Sequence, residues 1–233
     1  MKKYIPGETK EQRKARKNLA KAKKQQDTPP PALITETPTT SKIAFVIGNG
    51  TSRTPIPLPS LRPFGKIYGC NALYRDFIPD YLVAVDTKMV LELNKEGIQH
   101  QVETWTNPNR AYNEMAGFHF FQPSKGWSSG PTALWFASEN NDYDTIYILG
   151  FDFEGIGTQL NNIYADTKNY KASTEKATYF GNWLKQTVIT CQNFSQKRYI
   201  RVLGESFFTP PELNKLNNVE NIHVRDFKKS FKI

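Results

Sequence analysis

Small and polar residues gather at three places where the backbone of this chain could meet a ligand. The first is Gly48-Asn49-Gly50-Thr51-Ser52-Arg53, which follows an apolar run. Glycines there let backbone amides approach a bound group closely, and the hydroxyls of Thr51 and Ser52 add donors. The second is Cys70-Asn71-Ala72-Leu73-Tyr74, in which Asn71 closes another apolar run. The third is Ser128-Ser129-Gly130, ahead of an apolar helical stretch, where free N–H groups and the positive end of the helix dipole suit a phosphate or carboxylate. Asp86 and Asp152 end two further apolar runs. Singly, each has a plainer reading. Gly-Asn-Gly lacks the third glycine of the dinucleotide fingerprint and the Lys-Ser/Thr of a P-loop. A strand-ending Asp readily caps the next helix, and Ser-Ser-Gly is an ordinary helix start. Their convergence on strand ends is what points to a site.

The elements that must hold these residues follow from periodicity. Residues 42–48, 66–71, 80–86 and 144–152 are continuous apolar runs of strand length, and 102–106, 118–122, 199–203 and 221–227 are further strand candidates. Helices are expected over 87–97, ending on Gly97, over 131–140 behind a Ser129 cap with Pro131 in the first turn, and over 173–193. A short helix starts at the Pro-Pro-Glu of 210–212. Strands buried on both faces and alternating with helices imply an α/β fold: a Rossmann-like, doubly wound, mostly parallel sheet. Ligands of such sheets sit beyond the carboxyl ends of the strands.

Composition narrows the functional classes. The net charge is +9, but residues 1–42 hold eleven Lys/Arg against four acidic residues, so the rest of the chain is near neutral. Residues 1–26 read as a disordered basic arm, residues 27–41 as a Pro/Thr-rich linker, and residues 42–233 as the folded domain. Lys and Arg within residues 2–24 suit non-specific contact with nucleic acid, an acidic partner or an anionic lipid surface. Tyr4 is the arm's one aromatic, which argues against base stacking. The two cysteines and three histidines lack metal-ligand spacing, so no metal site is expected. No transmembrane run and no secretory signal are apparent, and a cytoplasmic setting is expected (host cytoplasm or virion for a phage-encoded chain).

Assembled, these segments resemble the bacterial sialyltransferases of family 42, which use a CMP-activated sugar. More loosely they resemble a group of Rossmann-like proteins that includes an archaeal pterin diphosphokinase. In the sialyltransferases a strand ends in Gly-Asn-Gly-Pro-Ser, and here residues 48–52 read Gly-Asn-Gly-Thr-Ser. A second ends in Cys-Asn-Gln-Phe, where residues 70–74 read Cys-Asn-Ala-Leu-Tyr. A Thr-Ser-Gly turn leading to a strand that ends Ser-Gly-Ile-Asp-Phe is matched by Ser128-Ser129-Gly130 and by Leu149-Gly150-Phe151-Asp152-Phe153. A stretch like Tyr-Ala-Phe-Asp-Thr-Lys is matched by residues 163–168, and the likeness runs in order over about residues 42–200.

The resemblance implies a glycosyltransferase-like domain that binds a nucleotide or nucleotide-sugar of the CMP type and requires no cofactor. Asn49, Gly50, Thr51 and Ser52 would face the phosphate and ribose, and Asn71 the nucleotide or donor sugar. Ser128, Ser129 and Gly130 would line the nucleotide site, Asp152 would contact ribose or base, and Tyr164 would donate to the leaving phosphate. Two departures stand out. The family's general-base histidine corresponds to Asn182, which has no group that titrates near neutral pH. The family's arginine before its Thr-Ser-Gly turn is missing, with Lys125 nearby as a stand-in. The competing reading is a non-catalytic phage or virion-associated assembly protein that uses its arm for contact. Arg53 and Arg62 either reach a phosphate or face solvent; Trp127 and Trp183 are candidates to stack on a base or sugar, and Trp135 reads as core.

Overall fold

A computed structural model of the chain describes residues 42–112, 114–205 and 208–233. The basic arm and the linker expected from the sequence lie outside the described residues, as does any partner contact made through residues 2–24.

Eight strands form one sheet, all parallel, in the order β5-β4-β3-β2-β1-β6-β7-β8. They are β1 (Ile43–Ile47), β2 (Gly65–Cys70), β3 (Tyr81–Val83), β4 (Glu103–Thr106), β5 (Phe118–Phe120), β6 (Thr145–Leu149), β7 (Arg198–Leu203) and β8 (Val219–His223). In β1, Ala44 and Val46 point to one face and Phe45 and Ile47 to the other, all fully buried. That two-sided burial is why the run is continuously apolar. The sheet is a Rossmann-like α/β sheet with helices on both faces.

On one face α1 (Thr87–Glu96) and α5 (Val224–Phe231) cover Phe45, Ile47, Ile67 and Leu82 with Met89, Leu93 and Phe227. On the other, α2 (Ser129–Glu139), α3 (Gly181–Asn193) and α4 (Pro211–Asn214) cover Ala44, Val46, Tyr68 and Ile148 with Leu134, Leu184 and Leu213. Ala133 and Ala137 let α2 lie close on the central strands. Each large side chain so buried contributes about 1.5–3 kcal/mol. Gly97 ends α1 at φ 68°, the left-handed conformation its type permits.

Several expected elements end elsewhere. The strands expected over 80–86 and 144–152 stop at Val83 and Leu149, so Asp86 and Asp152 each lie three residues beyond their strand. The helix expected over 173–193 begins at Gly181. Residues 172–177 instead bond across a long loop, Leu160 N to Glu175 O at 2.9 Å and Ala177 N to Thr158 O at 2.9 Å. These residues are mostly polar and carry no apolar stripe that a helix could bury. The last strand, expected through Phe227, stops at His223. There Val224, Phe227 and Phe231 form the buried stripe of α5, and His223 Nδ1 accepts the Arg225 N–H at 3.1 Å as its cap.

The strand order reverses once, between β1 and β6. The carboxyl ends of those strands and of β2 and β3 are therefore where a ligand crevice is expected. All three polar segments lie at that end, as do Asp86 and Asp152 in the segments that follow β3 and β6.

Candidate functional site

At the switch point the loops after β1 and β6 are bonded to each other. Gly48 N donates to Leu149 O at 2.7 Å and Gly50 N to Gly150 O at 2.9 Å, with Gly150 at φ 69°. A Cβ on Gly50 would sit on the Asp152 carboxylate, so only glycine allows this approach. That carboxylate accepts from Ser52 N at 3.1 Å, from Ser52 Oγ, and from Asn161 Nδ2 at 3.0 Å. Asn161 Oδ1 in turn accepts from Thr51 N and Thr51 Oγ1, both at 2.9 Å. The expectation of amides open to a phosphate at Gly50, Thr51 and Ser52 is thus corrected, because these donors already have partners within the chain. Asp152 has the same character: its carboxylate organises the loop. Beneath it, buried Arg201 donates to the carbonyls of Phe151 at 2.7 Å and Asp152 at 2.8 Å. Burial pulls the Arg201 pKa down to about 10, which leaves it a cation at neutral pH.

Tyr164 is also committed. Its hydroxyl donates to Asp76 Oδ2 at 2.7 Å and accepts from Arg53 at 2.8 Å, and the ring is 4% exposed. Arg53 is 5% exposed, which settles it as an interior group held by Tyr164 and Asp76. The hydroxyl expected to meet a leaving phosphate is therefore spent inside the fold.

The open site lies one strand over. A cleft of about 290 Å³ at the ends of β2 and β3 is lined by Asn71, Asp86, Thr87, Lys88, Met89, Asn169 and Tyr170. Asn71 has φ 52°, unusual for a residue with a side chain, and its Oδ1 is shut in without a partner. Both features are costs that folds concentrate at ligand sites. Tyr170 hydroxyl accepts from Asn49 Nδ2 and from Ala72 N, each at 3.3 Å. A phenol has one proton to give, so these two acceptances leave Tyr170 its own O–H to donate. Burial pushes its pKa up, which keeps that proton in place. Asp86 occupies the cap position of α1 but does not cap it. Among the described residues its carboxylate has no hydrogen bond or ion pair, and the protein packed around it raises its pKa.

Glu92 holds this wall of the cleft in place. Its buried carboxylate accepts from Tyr74 at 2.5 Å, from Arg75 and from Asn169 Nδ2 at 2.6 Å, with Lys168 at 3.5 Å. Arg75 also donates to Thr167 Oγ1 at 2.8 Å and Lys168 O at 3.0 Å. The loop that carries Tyr170 is thereby fixed to α1.

Ser129, expected as the helix cap, is the first residue of α2. It is 2% exposed, and its Oγ accepts the Val85 N–H at 3.0 Å, tying α2 to the end of β3. Ser128 takes the cap position, its N–H donating to Gln186 Oε1 at 3.2 Å. Gly130 lies where a Cβ would crowd the Phe151 ring at 3.3 Å. Asn182 is exposed in the first turn of α3. Trp135 is half-buried on the flank of α2, not core. Lys125 is exposed, its ammonium 3.4 Å from the centroid of the Trp135 ring and 5.5 Å from that of Trp127. Trp183 is partly exposed on α3.

The sequence pointed to Asn49 and Asn71 as site residues and to Asp86 only as a strand end. Lys88, Asn161, Asn169, Tyr170 and Arg201 were missed. Tyr170 carried one usable signal, its place shortly after the 163–168 stretch. Among the described residues no cluster of His, Cys, Asp and Glu could hold a metal ion, and no helix is long and apolar enough to cross a membrane. Comparison of the chain with family models, with curated proteins and with solved structures gave no match. Chemically, the cleft offers an O–H donor at Tyr170, an amide at Asn71, a cation at Lys88, and an uncommitted acceptor at Asp86.

Proposed function

We propose that the domain binds a nucleotide or nucleotide-sugar of the CMP type in a glycosyltransferase-like manner, in the cleft at the ends of β2 and β3. The observation that carries this reading is Tyr170, a residue of the cleft lining whose hydroxyl accepts two hydrogen bonds, so that its own proton remains to be donated. A fixed donor aimed where a phosphate oxygen gains charge is the means by which such a site stabilises a leaving nucleotide. Lys88 adds positive charge on the same wall, and Asn49 contributes indirectly by orienting Tyr170. The likeness to the CMP-sugar-dependent transferases supports the choice of nucleotide.

A thermal-melt and calorimetric screen of the protein against CMP, CDP, UMP, UDP and their sugar conjugates tests this. A ligand at about 100 times its Kd stabilises by about 2.7 kcal/mol, which moves the melting midpoint by several degrees. A selective shift with cytidine nucleotides, lost in Tyr170→Phe, is the expected result. No shift with any nucleotide rejects the reading.

Asn182 favours a second reading, a binding or assembly protein without catalysis, as in a phage or virion component. It is exposed and has no proton-accepting group. On that reading cytidine nucleotides bind without turnover, and the arm of residues 2–24 makes the functional contact.

A further inference from the structure

A second cleft opens at the other end of the sheet, at the starts of β1 and β2, and the proposed function makes no use of it. It measures about 410 Å³, and Lys42, Arg62, Phe64 and Lys66 line it together with Asp80 and Asp142. Three cations against two carboxylates leave it a positive excess. Asp80 is spent within the fold: its carboxylate accepts from Ile67 N and Lys66 Nζ, both at 2.9 Å, with Arg62 at 3.9 Å. Asp142 pairs with Lys42 at 3.3 Å, both side chains exposed, and such a pair exchanges readily for another anion. Residues 62–66 read Arg-Pro-Phe-Gly-Lys, an aromatic ring between two cations, and the fold holds them stiffly. The exposed Arg62 guanidinium donates to Ile78 O and lies 4.7 Å from the centroid of the Phe77 ring. Gly65 lies so close on β1 that a Cβ would stand 2.1 Å from Ile43 O. Phe64 N donates to Leu61 O at 3.0 Å, and the Phe64 ring packs edge-to-face with Phe231 at 4.9 Å. The residue is still 42% exposed. A ring and a guanidinium already fixed in place lose little freedom when a ligand settles on them.

We propose that this second cleft binds single-stranded nucleic acid, with a base stacked on Phe64 and the backbone phosphates met by Arg62, Lys66 and Lys42. Stacking on an aromatic ring among cations tolerates any base but needs an unpaired one, so a duplex is excluded. Charge alone would suit any polyanion; the ring among the cations is what selects bases. The basic residues 2–24 lack such a ring, since Tyr4 is the one aromatic before the linker. Lys42, which lines the cleft, directly follows that linker in the chain. The domain therefore supplies the stacking that the basic sequence before it does not. An anionic lipid surface would meet the same cations, but a flat surface stays outside a cleft and gains nothing from Phe64. The assignment is independent of the nucleotide reading of the cleft at the ends of β2 and β3.

The test is fluorescence anisotropy of the full chain with a labelled oligo-dT of about 15 nucleotides, repeated over a range of salt concentrations. Phe64→Ala should weaken binding about fivefold or more with the salt slope unchanged, and should not affect duplex DNA of the same length. Arg62→Gln should lower the slope by about one. Both variants should keep a cooperative melt. Cross-linking of a 5-bromodeoxyuridine oligonucleotide to the parent under ultraviolet light, which needs no variant, should place an adduct within residues 62–66. Adducts confined to residues 1–41 overturn the proposal, as do folded variants that bind and respond to salt like the parent. A Phe64→Ala loss as large on duplex DNA, or no binding of the oligonucleotide by the parent, overturns it as well.

Discussion

Replacing Tyr170 by phenylalanine removes an oxygen that accepts two hydrogen bonds and offers a third. Replacing Tyr164 removes one that bridges a buried cation and a carboxylate. The two changes should separate cleanly. Tyr170→Phe should lower CMP affinity about tenfold, one charge-assisted hydrogen bond, with a loss of stability of about 1 kcal/mol for the contacts to Asn49 and Ala72. Tyr164→Phe leaves Arg53 without its neutral partner in the interior and should cost about 1–3 kcal/mol in a denaturant melt, with affinity unchanged. Asp86 makes a third prediction. Its folded pKa lies above its ordinary value, so folding is opposed by its ionisation: the penalty is absent below the unfolded pKa and present above the folded one. Asp86→Asn should therefore melt at a higher temperature than the parent at pH 7 and at the same temperature at pH 3.

At the element scale, the loop that carries Tyr170 depends on Glu92. Burial pushes the Glu92 carboxyl up, but hydrogen bonds from Tyr74 and Arg75, with the charges of Arg75 and Lys168, outweigh it and hold the pKa below the usual glutamate value. With the folded pKa depressed, this contribution to stability is present above the unfolded value of 4.5 and is lost as pH falls through the folded one. Glu92→Gln should flatten that part of the pH–stability curve. It should also make the segment around residues 164–171 at least tenfold more susceptible to limited proteolysis at pH 7. Digestion no faster than in the parent would show that the loop is held by other contacts. The junction of β1 and β6 is more rigid. Gly50→Ala forces a methyl group onto Asp152, which Arg201 and Asn161 fix from behind, and should cost about 1–3 kcal/mol.

For the whole molecule, both cores are built within the described residues, one on each face of the sheet. Deleting residues 1–41 should therefore change the melting midpoint by no more than about 2 °C, within the size of a surface effect. A loss of cooperative melting would place part of the core in the deleted segment.

The run of Ile, Val, Leu and Phe in β1 and β6 could be read as strands because sheet burial on both faces leaves no polar positions, and the Met89-Val90-Leu93 spacing with Gly97 marked α1 from start to stop. These are local signals, carried by residues that are neighbours in the chain. The same locality placed Asn49, Asn71, Asp86 and Asp152 at strand ends, and so at the end of the sheet where ligands sit. It could not say which of them were free. Asp152 and Asp86 look alike in sequence, yet one organises a loop through Ser52 and Asn161 and the other faces the cleft without a partner. Tyr164 and Tyr170 differ in the same way. Tyr164 finds Arg53 across 111 positions of chain and Tyr170 finds Asn49 across 121, so which tyrosine keeps a proton for a ligand is set by tertiary packing. Hydrogen-bond capacity belongs to the residue, but whether it is already used depends on what the fold brings beside it.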